Sequence, residues 1–195
     1  MNNWLIQNWE RAGQLETAMN TTRERYEDLF TEIRKSVKKN HPALNMNIHM
    51  TPRDIRNWWG GSVVFSKTGW APIGETWPTG FYINNISLDE LASNKKSEPA
   101  VSIWFGGKKN DKRIKDLRRL TTAKAPQVFK SKKIDCRYDD DEDNRTLLWY
   151  PMTEGKKQLL KMLYEGKDKQ FENCIADHIK LMCGFISVLD EFSAK

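Results

Sequence analysis

The densest run of chemically capable residues lies between positions 95 and 137. Lys95, Lys96, Lys108, Lys109, Lys112, Arg113, Lys115, Arg118, Arg119, Lys124, Lys130, Lys132, Lys133 and Arg137 set fourteen cations against four acids. That segment alone carries +10, in a chain whose net charge is +6. Residues 1–40 carry +1, 41–94 carry −1 and 138–195 carry −4 by the same count. Cations gathered on one surface attract a polyanion and displace its condensed counterions, whereas scattered lysines mostly aid solubility. The plainer reading is a solvated helix face with charged strand edges.

Other residue groups point to chemistry less strongly. Gly106-Gly107-Lys108-Lys109-Asn110 offers backbone N–H groups and two lysines to an anion, but lacks the spacing GxxxxGK[ST]. A strand-to-helix turn with Asn110 as N-cap is the simpler expectation. Asp139-Asp140-Asp141-Glu142-Asp143-Asn144 supplies hard oxygen ligands without EF-hand spacing, so a solvated loop tip without metal is expected. Cys174 and His178 lie four apart and share a helix face, as half a zinc site would. No second pair completes it, and both fall on an apolar stripe, so they are expected to pack. His41 and His49 have no nucleophile motif beside them and receive no role.

Eight tryptophans are many for 195 residues. Trp58, Trp59, Trp70 and Trp77 lie in a span rich in glycine and proline, where an exposed ring would stack on a base or fill a partner's pocket. Burial in the core or under a lid is the preferred expectation, because aromatics bring so much apolar area.

The elements that must position these groups follow from periodicity. Met19, Thr22, Tyr26, Leu29, Ile33 and Val37 recur at three- and four-residue steps, predicting a long amphipathic helix that ends near Asn40-His41-Pro42. The stretch with Trp4, Ile6 and Trp9 either extends that helix or turns separately about Gly13. Met46, Ile48 and Met50, then Val63-Val64-Phe65, then Phe81 to Ile86 read as strands. Ser87 with Glu90 suggests a capping box for a short helix. Val101, Ile103 and Phe105 alternate as a strand, and a basic helix carrying Ile114, Leu117 and Leu120 follows, closed by Pro126. Ser131 to Tyr138 and Arg145 to Tyr150 read as a hairpin around the acidic loop. Leu159, Leu160 and Leu163 mark a helix broken near Gly166, and Phe171 to Leu189 a long amphipathic helix.

The expected class is α+β: a central, mostly antiparallel sheet flanked by a long N-terminal helix and C-terminal helices. One domain is expected over 1–195, with a helical segment at 1–40, a sheet-containing core at 45–150 and helices at 153–192. At 38% hydrophobic and 11% aromatic the chain has too much apolar material to stay disordered. No apolar run reaches the roughly 18–20 residues of a membrane span, and Met1 to Glu10 lacks the regions of a secretion signal. Three cysteines without a CxxC pair disfavour a disulfide framework, so a reducing cytoplasm is expected.

These features predict a non-catalytic binding protein with no cofactor and no metal. Its partner is nucleic acid or an acidic protein, held by Lys108, Lys109, Lys112, Arg113, Lys115, Arg118, Arg119, Lys132 and Lys133, with Trp58, Trp59, Trp70 or Trp77 as aromatic anchors. The alternative is a metal-dependent enzyme acting on nucleic acid, a degenerate nuclease-like fold built on Asp135 or the acidic loop. Asp135-Cys136-Arg137 departs from the acid-x-Lys pattern such an enzyme would use.

Overall fold

A computed structural model describes residues 8–48, 62–70, 78–92, 96–108, 111–130 and 145–193. Helix α1 (Trp9–Asn40) passes through Gly13 without a break and ends where Pro42 cannot continue it. Tyr26, Leu29, Ile33 and Val37 are buried, as their spacing predicts, and Phe30, which the stripe does not include, is buried with them. Thr22 is exposed, so the predicted stripe does not meet the core at that position. In the earlier turns the exposed hydroxyls of Thr17, Thr21 and Thr22 donate to carbonyls four residues back at 2.8–3.0 Å.

Five strands follow: β1 (Leu44–Ile48), β2 (Val63–Lys67), β3 (Gly80–Asn84), β4 (Ala100–Trp104) and β5 (Thr146–Pro151). They form one sheet in chain order, and every neighbouring pair is antiparallel. The register puts Val63 and Phe65 beside Ile83 and Phe81, and these beside Val101 and Ile103, then Tyr150 and Leu148. This apolar row is the floor of the core. Burying each such side chain contributes about 1.5–3 kcal/mol, which is why β-branched and aromatic residues dominate it. Leu147 is the extra residue of a bulge opposite Ile103–Trp104 and is itself fully buried. The other face carries Val64, Tyr82, Ser102 and Trp149 in a line, with Asn84 hydrogen bonded to Ser62 and Ser102.

Helix α2 (Leu88–Ala92) begins as expected, with Ser87 Oγ accepting the Glu90 N–H at 3.2 Å. Helix α3 (Arg113–Phe129) does not stop at Pro126, which sits inside its last turn. A proline there removes one N–H and leaves the Thr122 carbonyl without that bond. Thr122 and Pro126 both lie on the exposed side of α3, and the helix continues past the proline to Phe129. Helices α4 (Lys156–Tyr164) and α5 (Asp168–Met182) are separated by the turn at Glu165-Gly166.

The last amphipathic stretch is two helices rather than one. A 3₁₀ turn, Cys183–Phe185, separates α5 from α6 (Ile186–Ser193), although the buried stripe runs through all three pieces. At Gly184 a Cβ would lie 2.8 Å from Val128 of α3, so the close approach of the two segments requires glycine. Helices α1, α3, α5 and α6 cover the apolar face, with edge contacts Tyr26–Phe171, Phe30–Phe171 and Phe129–Tyr150. The architecture is thus α+β with a fully antiparallel sheet. The Ser131–Tyr138 half of the expected hairpin and the acidic loop lie outside the described residues. Among the described residues, no helix is long and apolar enough to cross a membrane.

Candidate functional site

The basic helix is held in place at its start. Gly107 packs so tightly on the Phe105 ring that a Cβ there would collide with it. Arg113 lies over the same ring, 5.4 Å from its centroid. Asp111 accepts the Arg113 backbone N–H at 2.9 Å and pairs with its guanidinium at 2.7 Å. The side-chain hydrogen bond from Arg113 outweighs partial burial and holds the Asp111 carboxyl below its ordinary range. The first-turn amide therefore belongs to Asp111, while Asn110 lies outside the described residues. On the inner side Ile114, Leu117, Thr121, Ala125 and Phe129 are buried.

With that side covered, Lys112, Lys115 and Arg119 occupy the opposite face at i, i+3 and i+7, and all three are exposed. Among the described residues none of them makes an ion pair. Lys108, just before the helix, is also exposed. Arg118 is half-buried instead and donates to the Thr146 carbonyl at 3.0 Å, tying α3 to β5. Arg113 is committed to Asp111 and Phe105. Lys109, Lys132 and Lys133 lie outside the described residues.

Trp58, Trp59 and Trp77 lie outside them as well, and Trp70 is not on the surface. It is 5% exposed, packs edge-on against Phe81 and donates its indole N–H to Asp190 at 2.8 Å. Sequence reasoning passed over Arg145, whose guanidinium stacks 4.3 Å from the Trp104 ring centroid on the far face of the sheet. Nothing in the spacing of those two residues marks them as partners; the β4–β5 pairing brings them together.

A second cluster joins the end of β5 to α5. His178 and Cys174 share one face of α5, and Glu154, from the β5–α4 connection, meets both. One ligand atom from each lies within 4.8 Å of the other two. Glu154 Oε2 is 3.1 Å from His178 Nε2 and accepts from Thr153 Oγ1 at 2.8 Å. The opposite ring nitrogen, Nδ1, is 3.2 Å from the buried Tyr150 hydroxyl. His178 is buried, and Cys174 and Glu154 are half-buried.

Electrostatics differ across the three. Burial acts to raise the Glu154 carboxyl, yet hydrogen bonds from His178, Thr153, its own backbone and Cys174 together hold it below the ordinary range. Burial, reinforced by the neighbouring Glu154 carboxylate, pushes the Cys174 thiol far up, so it is protonated at neutral pH. An activated nucleophilic cysteine needs the reverse shift, which argues against thiol catalysis here. The pair Cys174 and His178 is packed as its stripe predicts; Glu154 is the member that spacing alone did not identify. No known protein family, curated protein or solved structure matches the chain.

Proposed function

We propose that this is a non-catalytic binding protein that engages nucleic acid through the outward face of α3. One observation carries the reading: Lys112, Lys115 and Arg119 form an exposed row opposite the buried side of the helix. Along the axis the row spans about 10 Å at 1.5 Å per residue, enough to meet two successive phosphates of one strand. Of the two described acids near its start, Asp111 is already neutralised by Arg113, and Asp116 is exposed beside Lys112 and Arg119, so the three cations outnumber it on that face.

Composition of the face favours nucleic acid over an acidic protein. A stable protein interface centres on aromatic or large aliphatic anchors. The exposed α3 residues beyond the cations are Asp116, Thr122, Ala123, Pro126 and Gln127, which offer no such anchor. Phosphate contacts need none, because charge neutralisation and counterion release supply the affinity.

Fluorescence anisotropy with labelled single- and double-stranded oligonucleotides, repeated over a range of salt, tests the reading. Three phosphate contacts on duplex predict a log–log salt slope of about −3, with further contacts steepening it. The triple variant Lys112→Glu, Lys115→Glu, Arg119→Glu should melt like wild type, since solvated charges contribute little to stability. Its affinity should fall at least about tenfold and its slope flatten by about three. Unchanged affinity and slope in a folded triple variant would reduce this face to a solubilising surface.

A further inference from the structure

We propose that Glu154, Cys174 and His178 form a three-ligand zinc site that clamps the β5–α4 connection to α5. The donor set is a carboxylate, a thiol and an imidazole, brought together from two elements. Zinc bonds to such groups are about 2.0–2.3 Å long, which sets tetrahedral ligand atoms roughly 3.3–3.8 Å apart. The Glu154–His178 separation is already 3.1 Å, and all three donor atoms lie within 4.8 Å of one another. Closing the set around an ion needs shifts of about 1 Å, within the reach of side-chain torsions.

Ligand chemistry selects the metal. A thiolate and an imidazole suit zinc and other borderline-soft ions, whereas magnesium and calcium seek oxygen alone. Thiolate and carboxylate together neutralise a divalent ion, so the occupied site carries no net charge into its half-buried setting. Metal coordination deprotonates a thiol outright, so the protonated Cys174 of the metal-free protein is no obstacle.

Tyr150 supplies the outer support such a site requires. A zinc-bound Nε2 leaves its proton on Nδ1, and the Tyr150 hydroxyl 3.2 Å away can accept it. A hydroxyl both donates and accepts, so the same residue also satisfies the metal-free tautomer in which Nε2–H donates to Glu154. The fourth position falls to water, because the Glu154 side chain is 25% exposed and leaves the cluster open on that side.

Titration of the chelator-treated full chain with cobalt(II), then zinc(II) in competition with a chromophoric chelator, tests the assignment. One equivalent of cobalt should give a thiolate-to-metal charge-transfer band and intense tetrahedral visible bands. Zinc should displace it with a micromolar or tighter dissociation constant and raise the melting temperature. Cys174→Ser should abolish the charge-transfer band, and Glu154→Gln should weaken zinc binding by about tenfold or more. Cys136→Ser and Cys183→Ser should keep the band. Should Cys174→Ser fold poorly, zinc must still protect Cys174 of the wild type from alkylation, as mapped by mass spectrometry. Absence of the band in the wild type, its survival in Cys174→Ser, or unprotected Cys174 at saturating zinc would each overturn the site.

Discussion

The indole N–H of Trp70 donates to Asp190 Oδ1 at 2.8 Å, joining the end of β2 to α6 across 120 residues of chain. Lys67 Nζ reaches both oxygens of the same carboxylate at 2.8 Å. The ring is buried, so its polar atom needs a partner that stays in place. Asp190→Ala strands that donor and is expected to lower stability by about 1–3 kcal/mol. Lys67→Ala removes only a partly exposed ion pair and is expected to cost under about 1 kcal/mol. Urea unfolding followed by tryptophan fluorescence ranks the two; an equal loss would mean that the indole contact adds nothing.

Acid sensitivity follows from the same kind of contact. The hydrogen bond from Arg25 holds Asp168 below its ordinary value of 3.8, outweighing burial. At Asp190 burial acts upward, but Lys67 and Trp70 overcome it and the carboxyl is likewise depressed. A depressed carboxyl binds its proton more weakly when folded, so its stabilisation is complete above the ordinary pKa and is lost as pH falls through the folded value. Stability should therefore be flat with respect to these groups above about pH 5 and decline below it. Asp168→Asn with Asp190→Asn should be less stable at neutral pH and decline less steeply in acid, as read from urea midpoints across pH. A double variant with the wild-type acid slope would remove these two groups from the account.

Ile179 tests the burial of the C-terminal stripe. It is 2% exposed on α5 and belongs to the same cluster as Phe171, Ile175 and Met182. Ile179→Asp places an unpaired charge in that cluster and is expected to cost about 3–5 kcal/mol or prevent folding. Circular-dichroism melting measures it. A variant melting with wild type would contradict the packing of α5 on the sheet.

Much of this fold is legible from period and punctuation. Helical spacing ends at Asn40, alternation begins at Leu44, and the apolar runs at Val63, Phe81 and Val101 mark strands that bury both faces. Pro126 misleads because the rule counts a lost hydrogen bond without knowing that Thr122 lies on the exposed side of α3. The break at Cys183–Phe185 is invisible in the stripe, since a 3₁₀ turn shifts the period by too little to disturb it. The basic face is legible as charge, but the structure alone separates Lys112, Lys115 and Arg119 from Arg113 and Arg118, which serve the helix's own attachment. For the Glu154 cluster, the four-residue step shows Cys174 with His178. Glu154 joins them through packing between β5 and α5, which no local spacing encodes.

Gly184 offers a test whose sign can change. A Cβ at this position would sit 2.8 Å from Val128 Cγ2 and 3.0 Å from Cγ1. Valine in a helix has one strongly preferred χ1 rotamer, so it cannot readily swing aside, and α3 would have to shift from the 3₁₀ turn. Gly184→Ala is therefore expected to cost about 1–2 kcal/mol, the usual scale of overpacking. The backbone at Gly184 is not among the positive-φ positions, so alanine itself is conformationally acceptable there. Removing the obstacle should reverse the outcome. In a Val128→Ala background the same substitution loses its clash and keeps the entropic advantage of alanine over glycine, about 0.5–1 kcal/mol, so it should be neutral or stabilising. The coupling between the two positions should thus be about 1–2 kcal/mol in a double-mutant cycle measured by urea unfolding. Additive effects would show that Gly184 and Val128 are not in contact, and the break between α5 and α6 would then need another cause.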